Sequence, residues 1–371
     1  MKITHVLMET AHGPLNYADM ASGGRGVTGS EQAMLYLAKA QAEQGNKVVC
    51  YLPTEAPGFQ NGVEMLDVRT AWPRLRRADS ADVVISWLTA DPLRHLGPKP
   101  LKIHSLQIND WMLCGYGYEK HVDVFVACSN AHKGWLMNEL GNPGPSAVWE
   151  IIPNGTDCSR FMGSPKRIKR SCVYFSSPDR GLHWALAMWP EIRFAFPDAE
   201  LHVYYEVQKW IDNAMLLNSE VGNRAKYVVA KSTPLAKHGV TFHGALPITQ
   251  LAQELLVADV MIYPCDTIRA TEGFGVAILD ACAAGVVPVI TDADALGEIY
   301  NESGAIVVPL GDHRRWVDAY LEQVLQLLGN QEEIETRRAK VQEFAKQYDW
   351  KNVAGMWQSM IERKLEKKRR G

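Results

Sequence analysis

The chain has 371 residues, 47% hydrophobic and 22% charged, the composition of a globular protein with room for two ordinary domains. Its formal net charge of −3 gives no basic footprint for nucleic acid, so we expect no nucleic-acid partner. Seven cysteines without a C-x-x-C pair predict free thiols in a reducing compartment. Because the N-terminus lacks a secretory signal pattern and no apolar stretch reaches membrane-spanning length, the sequence predicts a cytoplasmic protein.

A strand, a glycine-rich loop and a helix open the chain. The helix is predicted from about Ser30 to Gln44, and Thr28 with Glu31 has capping-box spacing at its start. The loop contains Gly23 and Gly24 and lies at the carboxyl edge of the predicted sheet, where open α/β folds bind ligands. It lacks a clean G-x-G-x-x-G, so a dinucleotide fingerprint is not supported, and a glycine-rich turn is often only a turn.

Short apolar runs, each followed by loop or helix signals, predict further strands of a parallel sheet in the first half. These runs are Asp82–Trp87, Leu101–His104, Asp123–Ala127 and Val148–Ile152. His104 ends one of them, at the edge where a ligand would bind. From the residues alone, His104 is more readily a hydrogen-bonded structural residue than a site residue.

The second half repeats the α/β pattern after a polar segment at residues 165–170. Cys172–Phe175 favours a strand, and the loop that follows carries Ser177 and Arg180. Arginine grips phosphate bidentately, better than a lysine does. The alternative is a surface arginine in a solvated loop.

The stretch from Glu272 to Asp280 predicts a glycine loop that feeds a helix starting near Val276. Unpaired N–H groups and the positive end of the helix dipole would point at a ligand there, which favours an anion such as a phosphate. If all of this stretch were helical, about 12 Å of rise would separate the two carboxylates, a spacing that suits a nucleotide sugar with its diphosphate between two sets of hydroxyl groups. An ordinary buried helix with acidic residues near its start explains the same pattern equally well.

The last predicted helix begins at Trp350 and carries an apolar stripe on one face. It ends in a basic run, which favours either a solvated tail or peripheral contact with anionic lipid.

Asp292 and Asp294 have the spacing of an Asp-x-Asp metal motif. Because they follow a strand of the second domain, we interpret them as part of a polar loop at the ligand edge of the sheet and not as metal ligands.

Glu272 through Asp280 resembles the E-x7-E motif of glycosyltransferase family four, whose members are retaining enzymes with the GT-B fold. The resemblance implies an α/β protein in which two Rossmann-like domains face each other across a cleft. It implies that Glu272 faces the donor sugar and acts in catalysis, and that Asp280, an aspartate in place of the usual glutamate, binds the ribose. The diphosphate would be held by the segment between these two acids, Gly273, Phe274, Gly275 and Val276.

Other segments resemble the same family. Gly23 and Gly24 match a glycine pair that faces the donor diphosphate, and His104 matches a histidine beside the donor sugar. Ser177 and Arg180 stand where the family has an arginine and a lysine that neutralise the diphosphate, so one of two cations remains. His243 lies in a segment similar to one that lines the base pocket.

In domain terms, the resemblance implies an acceptor-side domain at residues 1–165, onto which the last helix, residues 350–371, packs back. Residues 166–349 would form the donor domain. The boundary rests on the segment Ile151–Phe161, which is similar to the "IPNGVD…F" segment that ends the first domain in the family.

The activity implied is transfer of a glycosyl group from a UDP- or GDP-linked sugar to a carbohydrate or glycolipid acceptor, with retention of configuration. Neither a metal nor a further cofactor is expected, because the helix end and Arg180 would neutralise the leaving group. Two alternatives stay open: a nucleotide-sugar 2-epimerase of the same fold, and a two-lobed sugar-binding protein without turnover. Product analysis in the absence of an acceptor would separate the first from a transferase.

Overall fold

The computed structural model describes residues 1–11, 13–18, 27–76, 81–108, 117–138, 148–216, 219–267, 271–311 and 315–370. The chain divides into two compact units: unit 1 is Met1–Asp157 with Tyr348–Gly371, and unit 2 is Cys158–Gln347. The division falls earlier than the predicted boundary at 165/166. The reason is that the 3-10 turn Cys158–Phe161 packs against two helices of unit 2.

Unit 1 is built on an eight-stranded sheet in the order β3-β4-β2-β1-β5-β6-β7-β8. Neighbouring strands are parallel except β3 and β4, which form an antiparallel hairpin at one edge. The central strands are buried on both faces, as in parallel sheets covered by helices. The strands are β1 Lys2–Val6, β2 Lys47–Leu52, β3 Gly58–Gln60, β4 Val63–Asp67, β5 Val83–Trp87, β6 Leu101–Ser105, β7 Val124–Ala127 and β8 Trp149–Ile151.

Unit 2 is built on a six-stranded sheet in the order β11-β10-β9-β12-β13-β14, with every neighbouring pair parallel. Because parallel strands end at the same edge, the loops that follow β9, β10, β12 and β13 share one edge of this sheet. The strands are β9 Ser171–Tyr174, β10 Glu200–Val203, β11 Val240–Phe242, β12 Val260–Tyr263, β13 Val287–Thr291 and β14 Ile306–Val308.

Helices connect the strands of both sheets, in the crossover pattern that parallel strands require. In unit 1 they are α1 Gly29–Glu43, α2 Val68–Arg76 and α3 Asn130–Asn138. In unit 2 they are α4 Leu182–Ala195, α5 Val207–Met215, α6 Glu220–Ala236, α7 Ile248–Val257, α8 Val276–Ala284, α9 Leu296–Tyr300, α10 Arg315–Gly329 and α11 Gln331–Gln347. The last helix, α12, is Trp350–Arg370 and belongs to unit 1.

The apolar face of α12 packs on unit 1 through aromatic contacts. Trp357 stacks on Trp87 of β5 at 6.4 Å between ring centroids, and Trp350 stacks on Tyr36 of α1 at 6.2 Å. These large side chains are nearly fully buried, which stabilises the docked helix by about 1.5 to 3 kcal/mol for each. The first helix also forms as predicted, because Thr28 and Glu31 make a complete capping box.

In the described ranges, no helix combines the length and the apolar character needed to cross a bilayer. The cysteines that the structure describes are free thiols, as the sequence predicted. They are Cys50, Cys128, Cys158, Cys172, Cys265 and Cys282.

Candidate functional site

The predicted glycine loop and helix are confirmed in unit 2. Gly275 has φ +80° and α8 starts at Val276. A Cβ atom on Gly275 would lie 2.8 Å from Leu296 Cδ2, so the position requires glycine in both conformation and space. Among the described residues, no side chain caps this end of α8. An anionic ligand at this helix end would therefore not have to displace a side-chain cap.

Glu272 lies in this loop and is almost completely buried, with 1% of its surface exposed. Its Oε1 atom is 2.6 Å from Nη1 of Arg180 and accepts a 2.8 Å hydrogen bond from the hydroxyl of Tyr263. Burial raises the pKa of Glu272, while the charge of Arg180 and the Tyr263 hydroxyl act in the opposite direction. A carboxylate with these two partners is held in one orientation at the start of the helix.

The hydroxyl of Tyr263 links Glu272 to a further residue, Ser176. Since its single hydroxyl proton goes to Glu272, Tyr263 accepts from Ser176, whose Oγ lies 3.2 Å away. The Tyr263 ring also stacks on Tyr174 at 5.8 Å. The ends of β9 and β12 thus both support Glu272.

Arg180 stands in the loop between β9 and α4, which is pressed against the loop after β12. Gly181 has φ +102°, and a Cβ atom there would lie 2.1 Å from the carbonyl oxygen of Pro264. Arg180 keeps about a third of its side chain exposed, and its Nε has no hydrogen-bond partner among the described residues. Ser177, in the same loop, donates its hydroxyl to Asp179. Arg180, the predicted phosphate-binding cation, therefore forms an ion pair with Glu272, the predicted sugar-facing acid.

A buried arginine of α6 ties these two loops together. Arg224 binds the carboxylate of Asp266 through both terminal nitrogens, at 2.7 and 3.0 Å, and donates to the carbonyl of Asp179 at 2.9 Å. Trp184 donates to the same carboxylate at 2.6 Å. Sequence reasoning missed this network, because Arg224 and Asp266 are 42 residues apart and lie in no shared motif.

Asp280, the predicted ribose-binding acid, is on α8 and is 8% exposed. Its Oδ1 is 2.7 Å from Nη2 of Arg160, whose guanidinium lies over the ring of Phe161 at 4.9 Å. A ribose hydroxyl would share this carboxylate with Arg160. The sequence singled out Asp280 but gave no sign of its partner, 120 positions away.

His243 follows β11 at the same edge of the sheet and is exposed. Its ring stacks on Tyr204 at 4.6 Å, and its Nε2 is 3.0 Å from Nδ1 of His202. Burial and the neighbouring His202 lower the pKa of His243. Nearby, Glu206 accepts from the backbone N–H of Ala245 at 3.1 Å, which links the loops after β10 and β11. The buried ring of Tyr204 therefore supports one face of the exposed His243 ring.

The Asp292 and Asp294 carboxylates both bind backbone amides. Asp292 accepts from Leu310 at 2.8 Å, and Asp294 accepts from Thr271 at 2.8 Å. Both carboxylates therefore hold backbone segments of the loops around the end of β13. Within the part of the chain that is described, no three His, Cys, Asp or Glu side chains are grouped to hold a metal ion.

In unit 1, His104 lies within β6 and is completely buried. Its Nε2 is 3.2 Å from the carbonyl oxygen of Leu88, and its Nδ1 has no hydrogen-bond partner in the described ranges. Burial lowers the pKa of His104 to about 4, so the ring is neutral at physiological pH. Gly23 and Gly24, the other predicted site residues of this unit, lie outside the described residues.

Glu31 of α1 is a further residue of interest in unit 1. Its two carboxylate oxygens accept from the backbone N–H groups of Ala11 and Thr28, each at 2.7 Å. These two amides flank the predicted glycine-rich loop, so a single buried carboxylate joins its ends. The capping-box pattern identified half of this role, since it predicted only the bond to Thr28.

The sequence is similar to those of known glycosyltransferases. Residues 170–330 match the protein family described as "Glycosyl transferases group 1". The GDP-mannose:cellobiosyl-diphosphopolyprenol alpha-mannosyltransferase of Xanthomonas oryzae pv. oryzae is 33% identical over 238 residues, which are 62% of this chain and 56% of that protein. The phosphatidyl-myo-inositol mannosyltransferase of Mycolicibacterium smegmatis is 25% identical over 64% of this chain and 56% of that protein. The match thus spans just over half the length of these relatives.

Among solved structures, a sucrose-phosphate synthase from Thermosynechococcus elongatus superposes with a TM-score of 0.67 at 13% identity. The superposition covers 98% of each chain. The predicted GT-B fold is confirmed, because the chain has two Rossmann-like units, each built on a mainly parallel sheet, and superposes on this structure over nearly its full length.

Proposed function

We propose that this chain, whose residues 170–330 belong to the group 1 glycosyl transferases, moves a glycosyl group from a nucleoside-diphosphate sugar to an acceptor hydroxyl. The observation that carries the proposal is the ion pair between the buried Glu272 and the partly exposed Arg180, next to the uncapped start of α8. It brings one carboxylate, one cation and the N-terminal end of a helix together. Those are the groups that a sugar linked to a diphosphate would need.

The reaction breaks the bond between the anomeric carbon and the diphosphate oxygen, and forms a bond from that carbon to the acceptor oxygen. The leaving diphosphate gains negative charge, which the α8 dipole, its first amides and Arg180 would stabilise. The acceptor proton would pass to the leaving phosphate oxygen on the same face of the sugar, so configuration is retained. A metal ion is not required when fixed protein charges do this work.

Glu272 has a binding role in this scheme. Its Oε1 already accepts from Arg180 and Tyr263, and both contacts reduce its strength as a nucleophile. A nucleoside-diphosphate sugar would draw Arg180 toward phosphate and leave the carboxylate to accept hydrogen bonds from sugar hydroxyls. Those bonds become stronger as positive charge develops on the sugar ring.

The names of the two relatives suggest the donor and the class of acceptor to test first. One acts with GDP-mannose on a sugar linked to a polyprenol diphosphate, and the other is a mannosyltransferase of a phosphatidylinositol lipid. We therefore propose GDP-mannose as the first donor and a carbohydrate or glycolipid as acceptor. Contact with an anionic membrane through the C-terminus would rest on its exposed basic residues, such as Lys367 and Arg369.

The test is release of nucleoside diphosphate from GDP-mannose and from UDP-glucose, each with and without EDTA. We expect Glu272→Ala to lower turnover about 100-fold or more, the size of effect seen when a group that contacts the transition state is removed. Glu332→Ala, an exposed glutamate at the start of α11, is the matched control and should turn over as the wild type does.

The products separate the alternatives. NMR of the transferred sugar should show the donor's anomeric configuration, and inversion would contradict the retaining mechanism. Conversion of the nucleotide sugar to its 2-epimer would identify an isomerase. Sugar binding without turnover of either donor would favour a sugar-binding protein, and loss of activity with EDTA would contradict metal independence.

A further inference from the structure

We propose that Asp294 is a positioning residue that fixes the backbone of Glu272 for the transfer reaction. The inference rests on the proposed function, because it assigns a supporting residue to the same site. Asp294 follows β13 and is separated from Glu272 by α8 and a strand in the sequence. It does not have to touch the substrate to act.

Hydrogen bonds carry the proposal. Oδ2 of Asp294 accepts from the backbone N–H of Thr271 at 2.8 Å and from the backbone N–H of Glu272 at 3.0 Å. In the opposite direction, the N–H of Ala295 donates to the carbonyl oxygen of Glu272 at 3.2 Å. The peptide groups on both sides of the Glu272 Cα are therefore held by two consecutive residues of one loop.

The backbone of Asp294 has an unusual conformation for this purpose. Its φ is +51°, in the left-handed region, which is unfavourable for residues with a Cβ and least so for Asp and Asn. Its neighbours Ala293 and Ala295 are buried, so the segment cannot relax toward solvent. Glycine would suit this backbone better, so the aspartate must contribute something that glycine lacks.

Charge gives a second argument for the same role. The negative charge of Asp294 raises the pKa of Glu272 and so opposes ionisation of the acid that Arg180 binds. An aspartate next to a buried carboxylate is electrostatically unfavourable. Its two amide contacts are the compensating interaction, since a carboxylate binds N–H groups more strongly than a neutral oxygen does.

The competing explanation is that Asp294 is only a turn residue. The two explanations predict opposite orders for two substitutions. Asp294→Asn keeps an oxygen that can accept from both amides and tolerates the left-handed backbone. Asp294→Gly relieves the backbone but removes the acceptor. A turn residue would tolerate glycine best, whereas a positioning residue would tolerate asparagine best.

The chain offers a matched control in unit 1. Asn61 also has a left-handed backbone, with φ +50°, and is exposed in the turn between β3 and β4. Asn61→Gly makes the same kind of backbone change away from the proposed site. It should leave nucleotide-sugar turnover as in the wild type.

The experiment measures kcat and KM for release of nucleoside diphosphate from GDP-mannose and UDP-glucose, with hydrogen exchange of the amides of residues 271 and 272. We expect Asp294→Gly to lower kcat at least about tenfold with a smaller change in KM, because small misplacements of a reacting group cost large factors in rate. Exchange at both amides should rise. Asp294→Asn should keep kcat within about threefold and exchange near the wild-type level.

Other results would overturn the inference. Wild-type kcat and wild-type amide exchange in Asp294→Gly would show that the Asp294 carboxylate does not hold the Glu272 backbone. A larger loss of kcat in Asp294→Asn than in Asp294→Gly would show the same. If the wild type turns over neither donor, the proposed function fails; unchanged exchange in Asp294→Gly would then also refute the positioning role. If the amides of residues 271 and 272 exchange faster in Asp294→Gly but not in Asp294→Asn, Asp294 holds the Glu272 backbone whether or not the reaction is observed.

Discussion

His104 in unit 1 and Glu272 in unit 2 lie in corresponding places but in different states. Each is at or just beyond the carboxyl end of a parallel strand, each resembles a sugar-facing residue of one family, and each is almost completely buried. His104 has the carbonyl of Leu88 as its polar contact and a pKa lowered to about 4. Glu272 has Arg180 at 2.6 Å.

The difference is the counter-charge. Burial penalises the charged form of both groups. For His104 the hydrogen bond to the carbonyl of Leu88 offsets only part of that penalty, and the ring is neutral at physiological pH. For Glu272 the guanidinium of Arg180 and the Tyr263 hydroxyl favour the carboxylate, which a polar ligand can then use. A titratable residue at a ligand edge is therefore a strong site candidate when a partner of opposite charge reaches it.

The largest expected effect comes from removing that counter-charge. Arg180→Met leaves Glu272 buried without a cation, which should lower the free energy of unfolding by about 3 to 5 kcal/mol at pH 7.5. A carboxyl whose folded pKa lies above its unfolded value stabilises the fold at low pH and loses that contribution as pH rises. The deficit of Arg180→Met should therefore shrink toward pH 4.5.

Urea denaturation at the two pH values measures this, with Arg180→Met/Glu272→Gln as control. The double variant has no ionisable group at either position, so its stability should lack the pH dependence that an unpaired Glu272 gives the single variant. An equal deficit for the single variant at pH 4.5 and 7.5 would mean that Glu272 is not ionised in the folded protein. The contrast with His104 would then disappear.

The second prediction concerns acid stability and His104. The pKa of His104 is lowered to about 4 in the folded state, whereas a histidine in the unfolded chain has a pKa of about 6.5. Between these pH values the unfolded chain binds a proton at His104 and the folded chain does not. Stability is therefore lost as pH falls from 6.5 to 4, by about 3 kcal/mol from this residue. His104→Gln keeps a donor for the carbonyl of Leu88 and cannot titrate.

Denaturation of wild type and His104→Gln at pH 7 and pH 4.5 isolates the effect. We expect the variant to be less stable than the wild type at pH 7, by about 1 kcal/mol, and to lose less stability on acidification. Parallel pH curves for the two proteins would show that His104 is accessible and titrates normally. That outcome would favour direct contact of His104 with substrate.

The smallest effect is expected at an exposed ion pair. Lys368 of α12 lies 2.7 Å from Asp123, and its ammonium also donates to the carbonyl of Pro100 at 2.8 Å. Lys368→Ala should cost less than about 1 kcal/mol, and the loss should become smaller in high salt. Thermal unfolding at low and high ionic strength is the measurement. A loss comparable to that of Arg180→Met would contradict the view that burial determines the value of these pairs.

The sequence predicted the features that depend on neighbours in the chain. The Thr28 capping box and the start of α8 at Val276 are local patterns, and both formed as expected. The β3–β4 hairpin was missed, although Asn61-Gly62 is a strong turn signal between its strands. The helix α2 was also missed; it contains Pro73, which is unfavourable in a helix interior.

The partners of the predicted acids could not be read in the same way. Asp280 is paired with Arg160, and Asp294 with the amides of the Glu272 loop, across 120 and 22 positions. Such contacts depend on how strands and helices pack, and no spacing rule describes them. The family resemblance identified which residues to watch, whereas the structure shows what holds each of them.

Calorimetric titration of the wild type with UDP, GDP, ADP and TDP, each with and without EDTA and repeated with Arg180→Ala, tests the diphosphate site directly. We expect that one diphosphate binds tightly, that the chelator changes nothing, and that Arg180→Ala weakens binding about tenfold or more. Failure of all four to bind the wild type, or equal affinity for Arg180→Ala, would contradict a diphosphate site at the start of α8.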